Sequence, residues 1–308
     1  MKIVFFIPTY YPEKNGIAIH CYNLIKHLKG DITVLSPVQK PFIKIPGFSS
    51  VSIPHPLHIL YLLKEQYDII HIHGYGNLHS LIGGVIGVLR RKKVVWTIHG
   101  IPKKGIFLKI YNIFGKFLIK RCIVLSVSDI SEITKNFILI DNGVDIRDCS
   151  DYREAKYVCY IGRLDRDKGL ERLKEVKMKV LLVGPKEDFE PTGMEHIEVD
   201  YEKISEIYCK CRYVVLPSKY EGLPLVMLEA IAHKRPFIAT PVGRIPEYLK
   251  KLFSNYEKYI IKGNIQDTID NLDKEDLNEE LENARKKLPT WQDVANKVME
   301  IYGKEGGK

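Results

Sequence analysis

The sequence predicts two doubly wound α/β domains, and three observations carry that reading. At 308 residues the chain is too long for one typical core and suits two domains of roughly 150 residues each. Its composition, 45% hydrophobic and 28% charged, is that of a globular protein rather than a disordered or fibrous one. Short β-branched and apolar runs alternate with longer amphipathic segments, and the alternation restarts halfway along the chain. Apolar runs spaced by amphipathic helices are the pattern of parallel sheets covered on both faces.

In the first half the apolar runs Lys2–Ile7, Asp31–Leu35, Ile69–His73, Lys93–Ile98 and Cys122–Val127 are expected strands. The amphipathic stretches Ile17–Leu28, Pro56–Glu65, Asn77–Arg90 and Gly105–Lys120 are expected helices between them. In the second half, strands are expected at Tyr157–Ile161, Val180–Val183, Tyr213–Leu216 and Pro236–Ala239. Helices are expected there at Gly169–Val176, Lys203–Cys209, Pro224–His233 and Ile245–Leu252. The polar, turn-rich segment Asn142–Lys156 is the expected boundary and hinge. The acidic stretch Asp267–Glu282 reads as a solvated helical surface. The cluster Gly83, Gly84 and Gly87 lacks dinucleotide-binding spacing and reads as close packing of a helix. In doubly wound sheets ligands bind outside the carboxyl ends of the strands, so the loops after each strand are where chemistry belongs.

Composition narrows the function classes. No window reaches the roughly 18 to 20 apolar residues of a membrane span; the most apolar stretch, Leu78–Leu89, is shorter and carries His79 and Ser80. The N-terminus enters the apolar run Ile3–Ile7 and meets Pro8 at once, unlike a secretory signal, so a cytoplasmic location is expected. Six scattered cysteines without zinc-finger spacing are then expected to be reduced thiols without a role. The net charge of +9 is uneven: residues 1–150 hold 19 Lys and Arg against 9 Asp and Glu, and residues 151–308 hold 28 against 29. Such asymmetry points the first half toward an anionic partner, a nucleic acid or an acidic membrane surface, or else is a lysine-rich solubility surface. The run Lys103–Arg121, with six basic residues, four aromatics and no acid, reads either as a core-facing helix with a lysine surface or as an interfacial membrane element.

Two segments carry chemistry. From Ser218 to Glu229 the chain leaves a strand and opens a helix, with Pro224 suited to its first turn. The free backbone N–H groups around Leu223 to Val226, beside Pro224, form a candidate anion site. Glu221 and Glu229 lie at most roughly 12 Å apart along such a helix, beyond the about 5 to 9.5 Å of a glycosidase carboxylate pair. They suit two ends of an extended, hydroxyl-rich ligand; taken alone, they also read as a dipole-favoured carboxylate and a surface glutamate. Earlier, Gly162, Arg163, Leu164, Lys168 and Gly169 follow a strand. Arg163 offers a planar fork to phosphate oxygens and Lys168 a point charge, enough to balance a diphosphate without a metal.

The combination Gly162-Arg163-Leu164, Lys168-Gly169 and Glu221 with Glu229 eight residues on resembles the retaining glycosyltransferases of family 4 (group 1), with the two-domain GT-B fold. The resemblance covers nearly the whole chain. Pro8, Pro12, Asn15 and Gly16 look like the family's N-terminal glycine loop, with Asn15 in place of a second glycine. Asp68–His73, Thr97–Gly100, Ser126–Ser128 and Asn142–Asp145 match further landmarks, and Trp291 to Tyr302 looks like the last helix. The resemblance implies two Rossmann-like domains facing a central cleft. Residues 1–150 would bind the acceptor, 151–290 the nucleotide sugar, and 291–308 would cross back to the first domain. Arg163 and Lys168 would bind the donor's diphosphate, Glu229 the ribose hydroxyls and Glu221 the sugar, with Gly162, Leu223, Pro224 and Leu225 nearby. His99 would contact the sugar from the first domain, and Asn15 and Gly16 would let the backbone approach the phosphates. His20 and His73 are acceptor-site candidates.

The expected function is transfer of a sugar, with retention, from a nucleotide-sugar donor to a hydroxyl acceptor, lipid-linked or a growing glycan. No cofactor or metal is expected. His71 and His73 share a strand face without a carboxylate or cysteine at ligand spacing, and Asp165-x-Asp167 reads as a solvated loop. Peripheral contact with an anionic membrane at its inner face fits the basic half. The alternatives are a sugar-nucleotide epimerase or phosphorylase on the same fold, or a non-enzymatic nucleic-acid- or membrane-binding module. No nucleic-acid motif supports the last, and no nucleic-acid partner is expected.

Overall fold

A computed structural model describes residues 1–37, 42–43, 51–52, 54–100, 114–127 and 130–303. The chain forms two compact units. The first comprises Met1–Glu13, Ile17–Asp141 and Gln292–Lys308, and the second Lys14–Gly16 and Asn142–Trp291.

The first unit is built on β1 (Lys2–Phe6), β2 (Asp31–Leu35), β5 (Ile69–His73), β6 (Lys93–Ile98), β7 (Ile123–Ser126) and β8 (Ile138–Leu139). A separate antiparallel pair joins β3 (Phe42–Ile43) to β4 (Val51–Ser52). The six-stranded sheet has the order β2-β1-β5-β6-β7-β8 and is parallel throughout. From β1 the chain first winds outward to β2 and later to β5 on the opposite side. The crevice at the β1/β5 carboxyl ends is therefore a topological switch point.

Its helices are α1 (Gly16–His27), α2 (Pro56–Lys64) and α3 (Leu78–Leu89), with a further helical turn over 114–119. Asn77 caps α3, its side-chain oxygen accepting from Ser80 N at 2.8 Å, the standard remedy for orphan N–H groups. The α3 glycines are packing residues, as the sequence suggests. A Cβ on Gly83 would lie 2.5 Å from Phe6, on Gly84 2.9 Å from Trp96, and on Gly87 2.8 Å from Ile70 and Val94. Of the expected helix Gly105–Lys120, and of the basic run beginning at Lys103, residues 103–113 lie outside the described residues, as does Ser128.

The second unit is built on β9 (Tyr157–Ile161), β10 (Lys179–Val183), β11 (Glu195–Ile197), β12 (Cys211–Leu216) and β13 (Phe237–Ala239). They form a parallel sheet of order β11-β10-β9-β12-β13, which reverses between β9 and β12. Around it lie α4 (Ile204–Lys210), α5 (Leu225–Ala232), α6 (Ile245–Leu252), α7 (Ile265–Leu272) and α8 (Asn278–Arg285).

Two expectations change here. The segment expected as a helix over Gly169–Val176 is a 3₁₀ helix, Leu170–Glu175, that buries Leu170 and Leu173. Apolar residues three apart line one edge of a three-residue turn, and Gly169 enters it with φ 66°. The acidic stretch is helical, but its inner face is core: Ile265, Ile269, Leu272, Leu281 and Ala284 are all buried. Only the opposite faces of α7 and α8 carry the charge.

The last helix, α9 (Trp291–Gly303), begins at the final residue of the second unit and otherwise belongs to the first. Its Tyr302 hydroxyl meets His71 Nδ1 on β5, and Lys93 Nζ donates to Tyr302 O at 2.8 Å.

The expectation of reduced cysteines is corrected for four of the six. Cys149 pairs with Cys209 and Cys159 with Cys211, while Cys21 and Cys122 remain thiols. The compartment argument is only a prior; pairing is decided by which side chains the sheet brings together. Cys159 and Cys211 lie on the adjacent strands β9 and β12, and Arg235 donates to Ser150 O and Cys209 O beside the other bridge. Closing loops of this length stabilises by up to about 4 kcal/mol in the chain-entropy account. Thiol titration of the unreduced, denatured protein should therefore find two thiols, and six after reduction. Cys149→Ser should lower unfolding stability by about 2–4 kcal/mol in denaturant melts.

Candidate functional site

In the second unit the loops after β9 and β12, the two strands of the switch point, are stitched to each other and to the loop after β13. Lys219 N donates to Asp167 O at 2.9 Å, and Arg244 N donates to Gly222 O at 2.9 Å. Gly169 (φ 66°) lies so close to Pro217 O, and Gly243 (φ 58°) so close to Glu221 O, that a Cβ on either would overlap that carbonyl. Only glycine satisfies both the left-handed backbone and the close approach. Within the first loop, the Tyr160 hydroxyl donates to Arg163 O at 2.7 Å. Asn142 Nδ2 donates to Leu223 O at 3.3 Å ahead of α5.

Two of the charges named from the sequence, Lys168 and Glu221, meet on this frame. Lys168 Nζ donates to Glu221 Oε1 at 2.7 Å, with side chains 20% and 13% exposed. Each thus compensates the other in a partly desolvated place, where an unpaired charge would be costly. Arg163 is more open, 48% exposed, with Asp165 at 3.3 Å and Glu187 at 3.8 Å. Asp165 also caps the 3₁₀ helix Arg166–Lys168 by accepting from Asp167 N at 3.1 Å. Pro224 sits at the N-cap of α5 rather than in its first turn, and among the described residues no side chain caps this helix. Its N–H groups and positive dipole end are left for an anion.

Glu229, one turn from the C-terminal end of α5, is part-buried and accepts from Tyr208 OH at 2.6 Å and Tyr201 OH at 3.1 Å. Burial pushes its carboxyl up to about 7, against the lowering pull of the two tyrosine hydrogen bonds. The same burial, with the neighbouring Glu229, drives Tyr208 well above its ordinary value.

In the first unit, histidines gather at the β1/β5 switch point. His71 is locked, with Nε2 2.7 Å from Thr97 Oγ1 and Nδ1 on the Tyr302 hydroxyl. Its ring neighbour His73 lies 3.0 Å from His99, Nδ1 to Nε2. His20, from the second turn of α1, places its ring 4.7 Å from His99 and 5.6 Å from His73. Burial first, then the neighbouring imidazoles, hold His73 and His99 well below the usual histidine range, and burial takes His71 to about 3. His71, His73 and His99 are therefore neutral at physiological pH. Asn15 immediately precedes α1, and Gly16 begins it; a Cβ on Gly16 would meet nothing within 4 Å. Internal packing therefore does not require glycine at that position.

Comparison with known proteins agrees with this architecture. Residues 14–147 match the family described as Glycosyltransferase Family 4, and residues 155–274 match Glycosyl transferases group 1. The chain belongs to glycosyltransferase family 4. This family 4 glycosyltransferase is 25% identical over 278 residues to an uncharacterised glycosyltransferase of Methanocaldococcus jannaschii, covering 77% of this chain and 78% of that one. It is 26% identical over 271 residues to the putative teichuronic acid biosynthesis glycosyltransferase TuaC of Bacillus subtilis, covering 73% and 67%. The Anabaena protein HepE in complex with UDP-glucose superposes with a TM-score of 0.75 at 17% identity, covering 98% of this chain and 99% of that one. The glycosyltransferase WaaG, involved in lipopolysaccharide biosynthesis, superposes at 0.65 with 13% identity, covering 97% and 99%. At such identities the superpositions show the GT-B fold.

Sequence reading of this glycosyltransferase missed the tyrosines on Glu229, the direct Lys168–Glu221 pair and the meeting of His20 with His73 and His99. Each joins residues far apart in the chain. The one available signal was that His73 ends one expected strand and His99 directly follows the next.

Glu229 has a consequence for stability. A carboxyl at about 7 in the folded protein, against 4.5 ordinarily, keeps its proton longer when folded. The stability it contributes is complete below about 4.5 and is lost as pH rises through about 7. Between pH 4.5 and 8, wild type should lose about 1–3 kcal/mol relative to Glu229→Gln in paired denaturant melts.

Proposed function

We propose that this glycosyltransferase takes a nucleotide-diphosphate sugar as donor, works without a metal and retains the anomeric configuration. The observation that carries the proposal is the second unit's switch point, where Arg163, Lys168 and the uncapped N-terminus of α5 share one stitched loop frame. Two cations and a helix dipole supply the charge that a departing diphosphate needs. The structures of HepE with UDP-glucose and with UDP support the same donor class.

On this reading the donor displaces an existing interaction: the diphosphate recruits Lys168, and Glu221 turns from Lys168 to the sugar hydroxyls. Glu229 accepts from the ribose hydroxyls, and Leu223, Pro224, Leu225 and Gly162 line the approach. Asn15 and Gly16, which group with the second unit, serve the phosphates; in the first unit His99 contacts the sugar, and His20 and His73 face the acceptor. The bond from the anomeric carbon to the diphosphate oxygen breaks, and the bond to the acceptor oxygen forms on the same face. The acceptor's proton passes to the leaving phosphate. No covalent enzyme intermediate is required, so the protein's share is positioning and charge stabilisation.

Thermal shift with UDP-, GDP- and ADP-sugars tests the donor. One base class should stabilise the protein equally with and without EDTA, and no shift with any of them in folded protein would overturn the assignment. Arg163→Ala should lower kcat/KM by about 10²-fold or more. Because hydroxyl donors favour the ionised carboxylate, nucleotide affinity should rise between pH 6 and 8, and calorimetry should find that rise gone in Glu229→Gln.

A lipid-linked acceptor is the reading favoured by the first unit's surface. Leu57, Leu60 and Leu63 share one face of α2 at 65%, 44% and 52% exposure, and Phe114 and Phe117 are exposed in the turn carrying Lys116. Among the described residues no helix is long and apolar enough to cross a membrane, so contact would be peripheral. Co-sedimentation with anionic but not zwitterionic vesicles, weakened in Leu60→Ser/Leu63→Ser, is expected; equal recovery with both vesicle types would count against it.

A further inference from the structure

The first unit holds a three-imidazole cluster whose chemistry goes beyond the sugar and acceptor contacts proposed above. His20, His73 and His99 each offer a ring nitrogen, and these three atoms lie within 4.8 Å of one another. They come from three different elements: α1, the last residue of β5, and the loop directly after β6. The sheet therefore holds two of the imidazoles side by side, and α1 brings the third.

We propose that His20, His73 and His99 form a binding site for a divalent transition-metal cation of the zinc, cobalt or nickel class. A zinc bound at about 2.0–2.1 Å sets its ligand nitrogens ~3.3 Å apart in tetrahedral geometry. His73 Nδ1 and His99 Nε2, at 3.0 Å, stand close to that separation. The widest of the three separations must close by about 1.5 Å, within the reach of a side-chain rotation of His20 or His99. Buried His71, beside His73, is not a ligand: Tyr302 and Thr97 occupy both its nitrogens.

The donor set decides which ions fit. Three imidazoles with no carboxylate suit borderline-soft cations, whereas magnesium and calcium require hard oxygen ligands. Three protein ligands leave a fourth position for water or an anion. His99 is also the proposed sugar contact, so metal and donor sugar would compete for one imidazole. That consequence rests on the proposed function, whereas the metal site itself does not.

The test uses the tag-free, full-length protein, stripped with EDTA and exchanged into chelator-free buffer. Titration with Co²⁺ should produce visible ligand-field bands that saturate at one equivalent and are displaced by Zn²⁺ but not by Mg²⁺ or Ca²⁺. His20→Ala and His99→Ala, each verified as folded by circular dichroism, should weaken binding by at least about 10–100-fold, the loss seen even for an outer partner of a metal ligand. His55→Ala, which dismantles the separate His55–His58 ring pair, should bind as wild type does. Absence of Co²⁺ and Zn²⁺ binding by folded wild type would overturn the site. So would binding that survives in both cluster variants or is lost in His55→Ala. Because none of these readings involves a nucleotide, failure here leaves the donor assignment standing, and failure of that assignment leaves this site standing.

Discussion

The parallel pairing of β9 with β12 is the contact on which the second unit's chemistry depends. Parallel neighbours cannot be joined by a hairpin, so each is followed by its own crossover, and here the two crossovers depart in opposite directions. The loops that begin them, Gly162 to Gly169 and Pro217 to Leu225, are left side by side. The Cys159–Cys211 bridge links the two strands covalently, and the close approach of Gly169 to Pro217 O holds the two loops at backbone contact. Without that pairing, Lys168 and Glu221, 53 positions apart, would have no reason to meet.

The two units handle buried polar groups in different ways. The second uses compensation and partial neutralisation: Lys168 against Glu221, and a Glu229 carboxyl raised by burial and steadied by two tyrosine hydroxyls. Both arrangements can be redrawn by a ligand that brings its own charge and hydroxyls. The first unit instead collects neutral imidazoles, whose charged forms burial and mutual repulsion disfavour. One switch point thus pairs its charges internally, and the other collects imidazoles that burial keeps neutral.

Stability and access are balanced around these sites. The α3 glycines let that helix lie against Phe6, Ile70 and Trp96, which fixes the strand ends where the histidines sit. Tyr302 reaches from α9 to His71, tying the end of the described chain to the middle of the same sheet. Asn142, at the start of the second unit, holds Leu223 O ahead of α5. The helix end facing the proposed anion is therefore positioned by backbone contacts rather than by a capping side chain.

Much of this was legible in the sequence. Apolar runs located the principal strands because a strand buried on both faces has no polar side to disguise it. The loops bearing Arg163, Lys168, Glu221 and Glu229 were legible because each is a short contiguous segment following such a run. The 3₁₀ turn after Gly169 was not, since apolar residues three apart suit either helix type over six residues. The disulfides, the Tyr208–Glu229 contact and the three-histidine cluster were decided by tertiary structure alone. In each, side chains from separate elements meet only after strand order and register are set, and local composition carries no information about a partner that distant.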